Sequence, residues 1–162
     1  MRLPSKGKVP KNTAGLLVFR RRAGRLNVLL VHPGGPLWAK KDEGAWSIPK
    51  GEFTDDEDPL SAARRECKEE LGATPAGDFT ALNPVRQASG KIVYAWAVES
   101  DFDASTFRSN TFQMEWPPRS GRQQEFPEVD RAEWCTMDEA RRKMNPGQVP
   151  LLDQLELITG RV

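Results

Sequence analysis

The chain has 162 residues, the length of one ordinary domain and enough to bury a substantial core. Its 24 basic and 23 acidic side chains give a net charge of +1, which provides no overall field for binding nucleic acid or an acidic membrane. No apolar run reaches the ~18 residues of a membrane span, and the polar start of the chain does not resemble a signal peptide. The two cysteines, Cys67 and Cys135, suit a reducing compartment, so we predict a cytoplasmic location.

The first elements of the chain are predicted to be a loose tail followed by a hairpin. Residues 1–12 lack hydrophobic periodicity and form the predicted flexible tail, and residues 13–162 form the predicted single domain. Two β-rich runs, residues 14–20 and 26–32, lie on either side of Gly24, which indicates a β-hairpin. The following stretch, residues 33–46, is rich in Gly, Pro and Lys and predicts a loop.

A helix is predicted next, because Asp58 suits its N-cap, Pro59 its first position and Gly72 the position after its end. Three strands are then predicted, over residues 79–85, 91–99 and 112–116, and a loop follows the last of them. Thr136 and Glu139 form a capping box that opens a helix ending near residue 144, and a final short helix starts at residue 150. Strands outnumber helices without alternating regularly, so the predicted class is α+β, a mixed sheet with helices packed on it.

The first helix carries a row of carboxylates. Glu66, Glu69 and Glu70 share one face because residues three and four apart are neighbours on a helix. Beside them runs a narrow apolar stripe suited to packing on a sheet, formed by Leu60, Ala63, Cys67 and Leu71. Like charges at this spacing each cost ~0.2–0.5 kcal/mol, and a bound cation would remove that cost.

Two interpretations of this acidic row are open. An E-x-x-E-E run is most often a solvated helix face. Alternatively, oxygen ligands without His or Cys point to Mg²⁺ or Mn²⁺, and Arg65, four residues before Glu69, is placed to hold one carboxylate in a fixed orientation.

The residues around the acidic row favour the second interpretation. Residues 51–73 resemble the Nudix box of the Nudix hydrolases, because every charged and glycine position of that motif is filled at its spacing. Those positions are Gly51, Glu57, Arg65, Glu66, Glu69, Glu70 and Gly72. Cys67 stands where the family usually has an aliphatic residue, and a free cysteine packs as a small hydrophobe. The similarity extends weakly from about residue 13 to residue 155.

This resemblance implies an α/β/α sandwich around a mixed sheet, and hydrolysis of a nucleoside diphosphate linked to another group. By position, Glu66, Glu69 and Glu70 are implied to bind the metal and to provide the catalytic base. The backbone carbonyl of Gly51 is implied as a further metal ligand. Two more residues are implied to have supporting roles: Glu57 supports either the loop or the residues that bind the metal, and Arg65 orients a glutamate.

The chemistry agrees with that implication. Divalent ions neutralise a diphosphate, polarise its oxygens and lower the pKa of bound water, and a nearby glutamate then accepts the proton of the attacking water. No sequence motif of a covalent nucleophile or of a Walker lysine is present. His32, the single histidine, cannot form a metal cluster alone and is predicted to be structural or solvent-facing.

Nudix enzymes often add an acid from a loop outside the box, and three glutamates are candidates here. We favour Glu128, because it stands six residues before Trp134 as in the family pattern. Glu125 is the next candidate and Glu115 the third. A plain surface position in a polar loop is the alternative for each of them.

Substrate phosphates require cations, and Arg20, Lys40 and Lys50 are the best-placed candidates. Residues 46–51 read W-x-x-P-K-G, which resembles the segment before the box in diadenosine polyphosphate hydrolases and their close relatives. Trp46 and Trp38 are candidates for stacking on a base, although most tryptophans are simply core residues.

The predicted protein is therefore a metal-dependent pyrophosphohydrolase, with a dinucleoside polyphosphate as the favoured substrate. Two further substrate classes are open: a (deoxy)nucleoside triphosphate, including oxidised ones, and ADP-ribose or another nucleotide sugar. A nucleotide-binding regulatory module is the hypothesis from outside the enzymes. The expected partner is a small nucleotide rather than nucleic acid or membrane, since the basic run at residues 20–22 is too short to bind nucleic acid. Both a monomer and a homodimer are compatible with the sequence.

Overall fold

The computed structural model describes residues 11–160, so most of the predicted tail lies outside the described residues. The strands are β1 (Asn12–Arg22), β2 (Arg25–Pro33), β3 (Lys50–Glu52), β4 (Thr80–Ala81), β5 (Val85–Arg86), β6 (Ile92–Glu99), β7 (Thr111–Glu115), β8 (Gln123–Pro127) and β9 (Val129–Thr136). The helices are α1 (Pro59–Leu71), α2 (Met137–Lys143) and α3 (Val149–Thr159), and two short 3₁₀ turns cover Ala104–Thr106 and Pro146–Gln148. Because β1 starts at Asn12, the first strand begins inside the segment predicted as tail.

Seven strands form one mixed sheet. Its main path runs β4-β6-β1-β2-β9, with β3 paired to β1 and β5 paired to β6. The β1–β6 pair is parallel and the other pairs are antiparallel. Strands β7 and β8 form a separate two-stranded hairpin, here called the β7–β8 hairpin. The α+β class with a mixed sheet flanked by helices is confirmed.

Helices cover both faces of the sheet because alternate residues of β1 point to opposite faces. Leu16 and Val18 pack with α1, whereas Leu17 and Phe19 pack in a second core with α2 and α3. The α1 face of the core is formed by the small side chains Ala62, Ala63, Cys67 and Leu71. Cys67 is a buried free thiol, and burial raises its pKa to about 12, so it acts as an apolar packing residue.

The ends of α1 are formed as the sequence predicts. The side chain of Asp58 accepts a hydrogen bond from the Ser61 backbone N–H at 3.0 Å, and Pro59 occupies the first helical position. Gly72 ends the helix in the left-handed region with φ 86°, and its N–H donates to the Lys68 carbonyl. A side chain at Gly72 would also press on Arg108, whose Cβ would be 3.0 Å away.

Several strands differ from the prediction. The predicted strand at residues 79–85 is interrupted, and only β4 and β5 form there. The sequence did not indicate β3, β8 or β9, of which β9 pairs with β2 at one end of the main path. Within residues 11–160 no helix is both long enough and apolar enough to cross a membrane.

Candidate active site

The carboxylate of Glu66 rests directly on the backbone of β3. A Cβ atom built on Gly51 would lie 1.8 Å from Glu66 Oε2 and 2.1 Å from its Cδ, so only glycine leaves room for this contact. Gly51 is held there because it pairs with Ala14 of β1. The pairing of β3 with the central strand therefore fixes where α1 presents its first glutamate.

Arg65 joins three glutamates. Its Nε and Nη2 donate to the two carboxylate oxygens of Glu57 at 2.8 and 2.9 Å. Its Nη1 donates to Glu66 at 2.8 Å and to Glu69 at 2.6 Å. The guanidinium lowers the pKa of the Glu57 carboxyl, and a bidentate pair of this kind fixes orientation as well as charge. This geometry supports the predicted supporting role of Glu57 and the predicted orienting role of Arg65.

Glu70 lies near Lys50 and is not one of the three glutamates that accept hydrogen bonds from Arg65. Burial raises the pKa of the Glu70 carboxyl to about 8; the neighbouring Lys50 opposes this shift, while Glu66 and Glu128 reinforce it. Burial also lowers the pKa of Lys50, and the nearby Lys91 adds to that shift. Glu70 and Lys50 line the same cavity, which has a volume of about 310 Å³ and is here called the first cavity.

Glu128 is tied to α1 through main-chain hydrogen bonds. The Glu69 carbonyl accepts from the Asn110 N–H at 2.7 Å, and the Asn110 carbonyl accepts from the Glu128 N–H at 2.8 Å. Burial raises the pKa of the Glu128 carboxyl, and Glu69 adds to this. Glu128 also lines the first cavity.

The other two candidate acids lie on the β7–β8 hairpin and make local contacts. Glu125 accepts a hydrogen bond from the Thr111 hydroxyl at 2.8 Å, and Glu115 accepts one from the Gly121 backbone N–H at 2.8 Å. Neither lines the first cavity. The geometry therefore favours Glu128 as the acid from outside the box.

The residues of the site fit a hard divalent cation. Its donors are carboxylate oxygens, which Mg²⁺ and Mn²⁺ prefer. Burial raises the pKa values of the Glu66, Glu70 and Glu128 carboxyls, and neighbouring glutamates raise each of them further. Among residues 11–160, no group of three acidic, His or Cys side chains is already arranged to coordinate a metal ion. Arg65 instead bridges Glu66 and Glu69 through a single nitrogen.

The predicted phosphate-binding cations are not all brought to this site. Lys50 lies in the first cavity together with Trp38, whose side chain is 40% exposed. Lys40 is exposed and does not line that cavity. Arg20 is paired with Asp101 at 2.9 Å, stacks over the Trp134 ring at 4.2 Å and lines a different cavity. Of the three predicted phosphate-binding cations, Lys50 therefore lies in the cavity that Glu70 and Glu128 line, and Lys40 and Arg20 do not.

The prediction that Trp46 stacks on a base is wrong, because its ring is completely buried. Its Nε1–H donates to Asp42 at 2.7 Å, and the His32 ring packs against it with centroids 5.2 Å apart. Arg131 and Lys143 lie over the same ring at 5.0 and 5.1 Å. Trp46 is therefore a core residue.

The sequence left two roles open for His32, structural or solvent-facing, and the structure shows the structural one. It is fully buried, with Nδ1 2.8 Å from Asp130 and Nε2 2.6 Å from the Lys41 carbonyl.

A buried amide network borders the first cavity, and the sequence predictions do not include it. The Ile48 N–H donates to Gln148 Oε1 at 3.1 Å, and Gln148 Nε2 donates to the Ser47 hydroxyl at 2.9 Å and to Gln87 Oε1 at 2.7 Å. These residues are far apart in sequence, so no local pattern indicates the network. It fixes the segment that leads into Lys50 and Gly51.

The raised pKa of Glu70 predicts how the stability of the metal-free protein depends on pH. The folded-state pKa of about 8 exceeds the unfolded-state pKa, so between these values the folded state binds more protons. We therefore expect the free energy of unfolding to fall as the pH rises from about 5 to about 8, by at most about 1.4 kcal/mol per unit. Carboxyls with lowered pKa, such as Glu57, titrate below this window.

Thermal unfolding followed by circular dichroism in the presence of a chelator measures this slope. Glu70→Gln is expected to flatten it, and excess Mg²⁺ is expected to restore the stability of the original chain near pH 8. A melting temperature of the original chain that rises through this window would contradict the role given to Glu70.

Comparisons with known proteins identify the family and the fold of this chain. A family model of the NUDIX domain matches residues 9–155. An Ap4A hydrolase from C. elegans, solved as a binary complex, is 22% identical, with 91% of this chain and 98% of that chain covered and a TM-score of 0.64. The NUDIX domain of Shewanella oneidensis NrtR, solved with ADP ribose, is 17% identical, with 94% and 90% covered and a TM-score of 0.64. The comparison with curated protein sequences finds no match.

At these identities the similar structures show a shared fold. The family model, in contrast, spans most of the chain and includes the whole glutamate helix. The chain therefore belongs to the Nudix family and is a phosphoanhydride hydrolase of the Nudix type.

Proposed function

We propose that this hydrolase cleaves dinucleoside polyphosphates by attack of water on a phosphorus atom, with Mg²⁺ or Mn²⁺ as the cofactor. The observation that carries the proposal is that Lys50, Glu70 and Glu128 line one cavity. A polyphosphate chain needs both cations and metal-binding acids along its length. The W-x-x-P-K-G segment at residues 46–51 and the fold shared with an Ap4A hydrolase support this substrate class.

In this proposal the glutamates of α1 hold the metal. A bound divalent ion neutralises phosphate charge and lowers the pKa of the attacking water. Glu66 is positioned by its contact with Gly51, and Arg65 orients both Glu66 and Glu69. The Gly51 carbonyl is a further proposed ligand. Lys50 meets phosphate charge at the wall of the first cavity.

The proton of the attacking water needs an acceptor within hydrogen-bond reach. We propose Glu66, Glu69 and Glu128 as the candidates. The electrostatic coupling of Glu128 with Glu69 and with Glu66 supports their proximity. Glu128 comes from a different part of the chain, and the main-chain link through Asn110 holds it beside the glutamate row.

ADP-ribose is the second candidate substrate, because a domain of the same fold was solved with ADP ribose. Nucleoside triphosphates are the third candidate substrate class, and a nucleotide-binding regulatory module is the candidate function without turnover. The cytoplasmic location and the choice between monomer and homodimer stay predictions.

The test is a panel of substrates incubated with the purified protein and Mg²⁺ or Mn²⁺ in isotopically labelled water. The panel holds diadenosine tetraphosphate, ATP, an oxidised deoxynucleoside triphosphate and ADP-ribose, and mass spectrometry of the products identifies the attacked phosphorus. We expect the highest kcat/KM for diadenosine tetraphosphate. Preference for another compound would replace the proposed substrate, and binding of the panel without turnover would favour the regulatory module.

Replacing Glu128 with glutamine is expected to slow turnover by about 100-fold or more, as for the loss of a group that assists proton transfer. The fold is expected to survive, because the main-chain bonds that hold residue 128 do not involve its carboxylate. Steady-state kinetics and circular dichroism measure the two effects. Glu125→Gln is the matched control, and an unchanged rate in Glu128→Gln would transfer the role to Glu125 or Glu115.

A further inference from the structure

A second cavity adjoins the first one at the catalytic carboxylates. It has a volume of about 340 Å³ and is here called the second cavity. Four residues line both cavities, namely Pro33, Trp38, Glu70 and Glu128. The rest of the wall of the second cavity is mainly apolar and comes from the loop after β2 and from β7; it consists of Gly34, Gly35, Leu37, Phe112 and Met114.

The β7–β8 hairpin forms a fixed wall of this cavity. Phe112 and Met114 are two residues apart on β7 and therefore lie on the same face of the strand. The Phe112 ring packs so closely on Gly35 that a Cβ there would be 2.9 Å from Cζ, and Gly35 has φ +94°. Phe126 packs beside Phe112 from the facing strand, with centroids 6.1 Å apart.

The rim of the second cavity exposes apolar surface. Leu37 is 60% exposed and Trp38 is 40% exposed. Only two other large apolar side chains among residues 11–160 are as open to solvent, Leu157 and Ile158 of α3. Exposed apolar side chains grouped beside a cavity mark a binding surface, and the flat faces of Trp and Phe suit stacking on a planar ring.

We propose that the second cavity binds the second nucleoside of the substrate. This inference rests on the proposed function. A substrate with a base at each end of a phosphate chain needs two cavities with the metal-binding acids between them, and Glu70 and Glu128 are shared by both cavities. A mononucleotide has one base and needs only one such cavity. The volume of the second cavity lies within the roughly 300–1,000 Å³ of small-molecule sites.

The experiment compares two substrates that have the same number of phosphates, diadenosine tetraphosphate and adenosine 5′-tetraphosphate. The readout is the ratio of their kcat/KM values in the presence of Mg²⁺. Met114→Ala and Leu37→Ser are each expected to lower this ratio about 10-fold, the loss expected for apolar contact with one substrate group. Gln113→Ala is the matched control, because Gln113 is exposed on the same strand between Phe112 and Met114.

Each outcome decides the inference. A fall of the ratio in both variants with no fall in Gln113→Ala supports it. An unchanged ratio in Leu37→Ser and Met114→Ala overturns it, and because Leu37 is largely exposed, misfolding does not obscure that result. In that case the proposed function still stands, provided that the original chain cleaves diadenosine tetraphosphate. Failure of the original chain to cleave it overturns both.

Discussion

Replacing Glu69 or Glu70 with glutamine is expected to lower turnover by at least about 100-fold in each case, because each change removes a charge that holds the metal and offsets phosphate repulsion. The shape of the side chain is retained, so the loss is expected in kcat.

For Glu70→Gln an effect on stability is predicted as well. With its pKa at about 8, the metal-free carboxyl is largely neutral at pH 7, and glutamine resembles that neutral form.

Glu70→Gln should therefore be inactive and yet at least as stable as the original chain in the presence of a chelator. Kinetics with Mn²⁺ and thermal unfolding with a chelator measure the two effects on one preparation. Glu99→Gln is the control, since it removes an exposed carboxylate whose ion pair within residues 11–160 is with Arg21 at 3.7 Å. Turnover near that of the original chain in both Glu69→Gln and Glu70→Gln would contradict the assigned roles.

The parts of the fold that could be predicted from sequence are those fixed by local chemistry. The N-cap at Asp58, the proline at the helix start and the glycine after its end define α1 without any tertiary contact. The capping box of Thr136 and Glu139 does the same for α2. By contrast, β9 reads VDRAEWCT, which does not alternate, and it becomes a strand because it pairs with β2. Pairing partners of this kind are distant in sequence and leave no local signal.

In the site, too, the features set by local sequence could be predicted, and those set by distant elements could not. Helical spacing brings Glu66 and Glu69 together and lets Arg65 reach both. Whether a tryptophan is exposed depends instead on distant elements. Trp46 is enclosed by side chains from β2, β9 and α2, so its burial could not be predicted from the W-x-x-P-K-G segment. Trp38, the second candidate for stacking, lines both cavities.

Gly51→Ala is expected to reduce turnover by about 100-fold while the fold remains, the cost typical of a displacement of about 1 Å in a catalytic group. The added methyl group would overlap the Glu66 carboxylate, since its position is 1.8 Å from Oε2. The carboxylate lies at the end of a flexible side chain and can move away. The pairing of β3 with β1 involves backbone groups and does not require that carboxylate.

Because Glu66 also accepts a hydrogen bond from Arg65, its displacement is expected to disturb the orientation of Glu69 and to weaken Mn²⁺ binding measured by titration calorimetry. Gly160→Ala is the control for the backbone cost of adding a methyl group: Gly160 ends α3 with φ 75°, and apart from its chain neighbours no residue of the described range 11–160 lies within 4 Å of the added atom. It is expected to lower stability and to leave Mn²⁺ binding and turnover unchanged. Circular dichroism separates loss of folding from loss of metal binding. If Gly51→Ala bound Mn²⁺ and turned over like the original chain, the position of Glu66 against β3 would be irrelevant to catalysis.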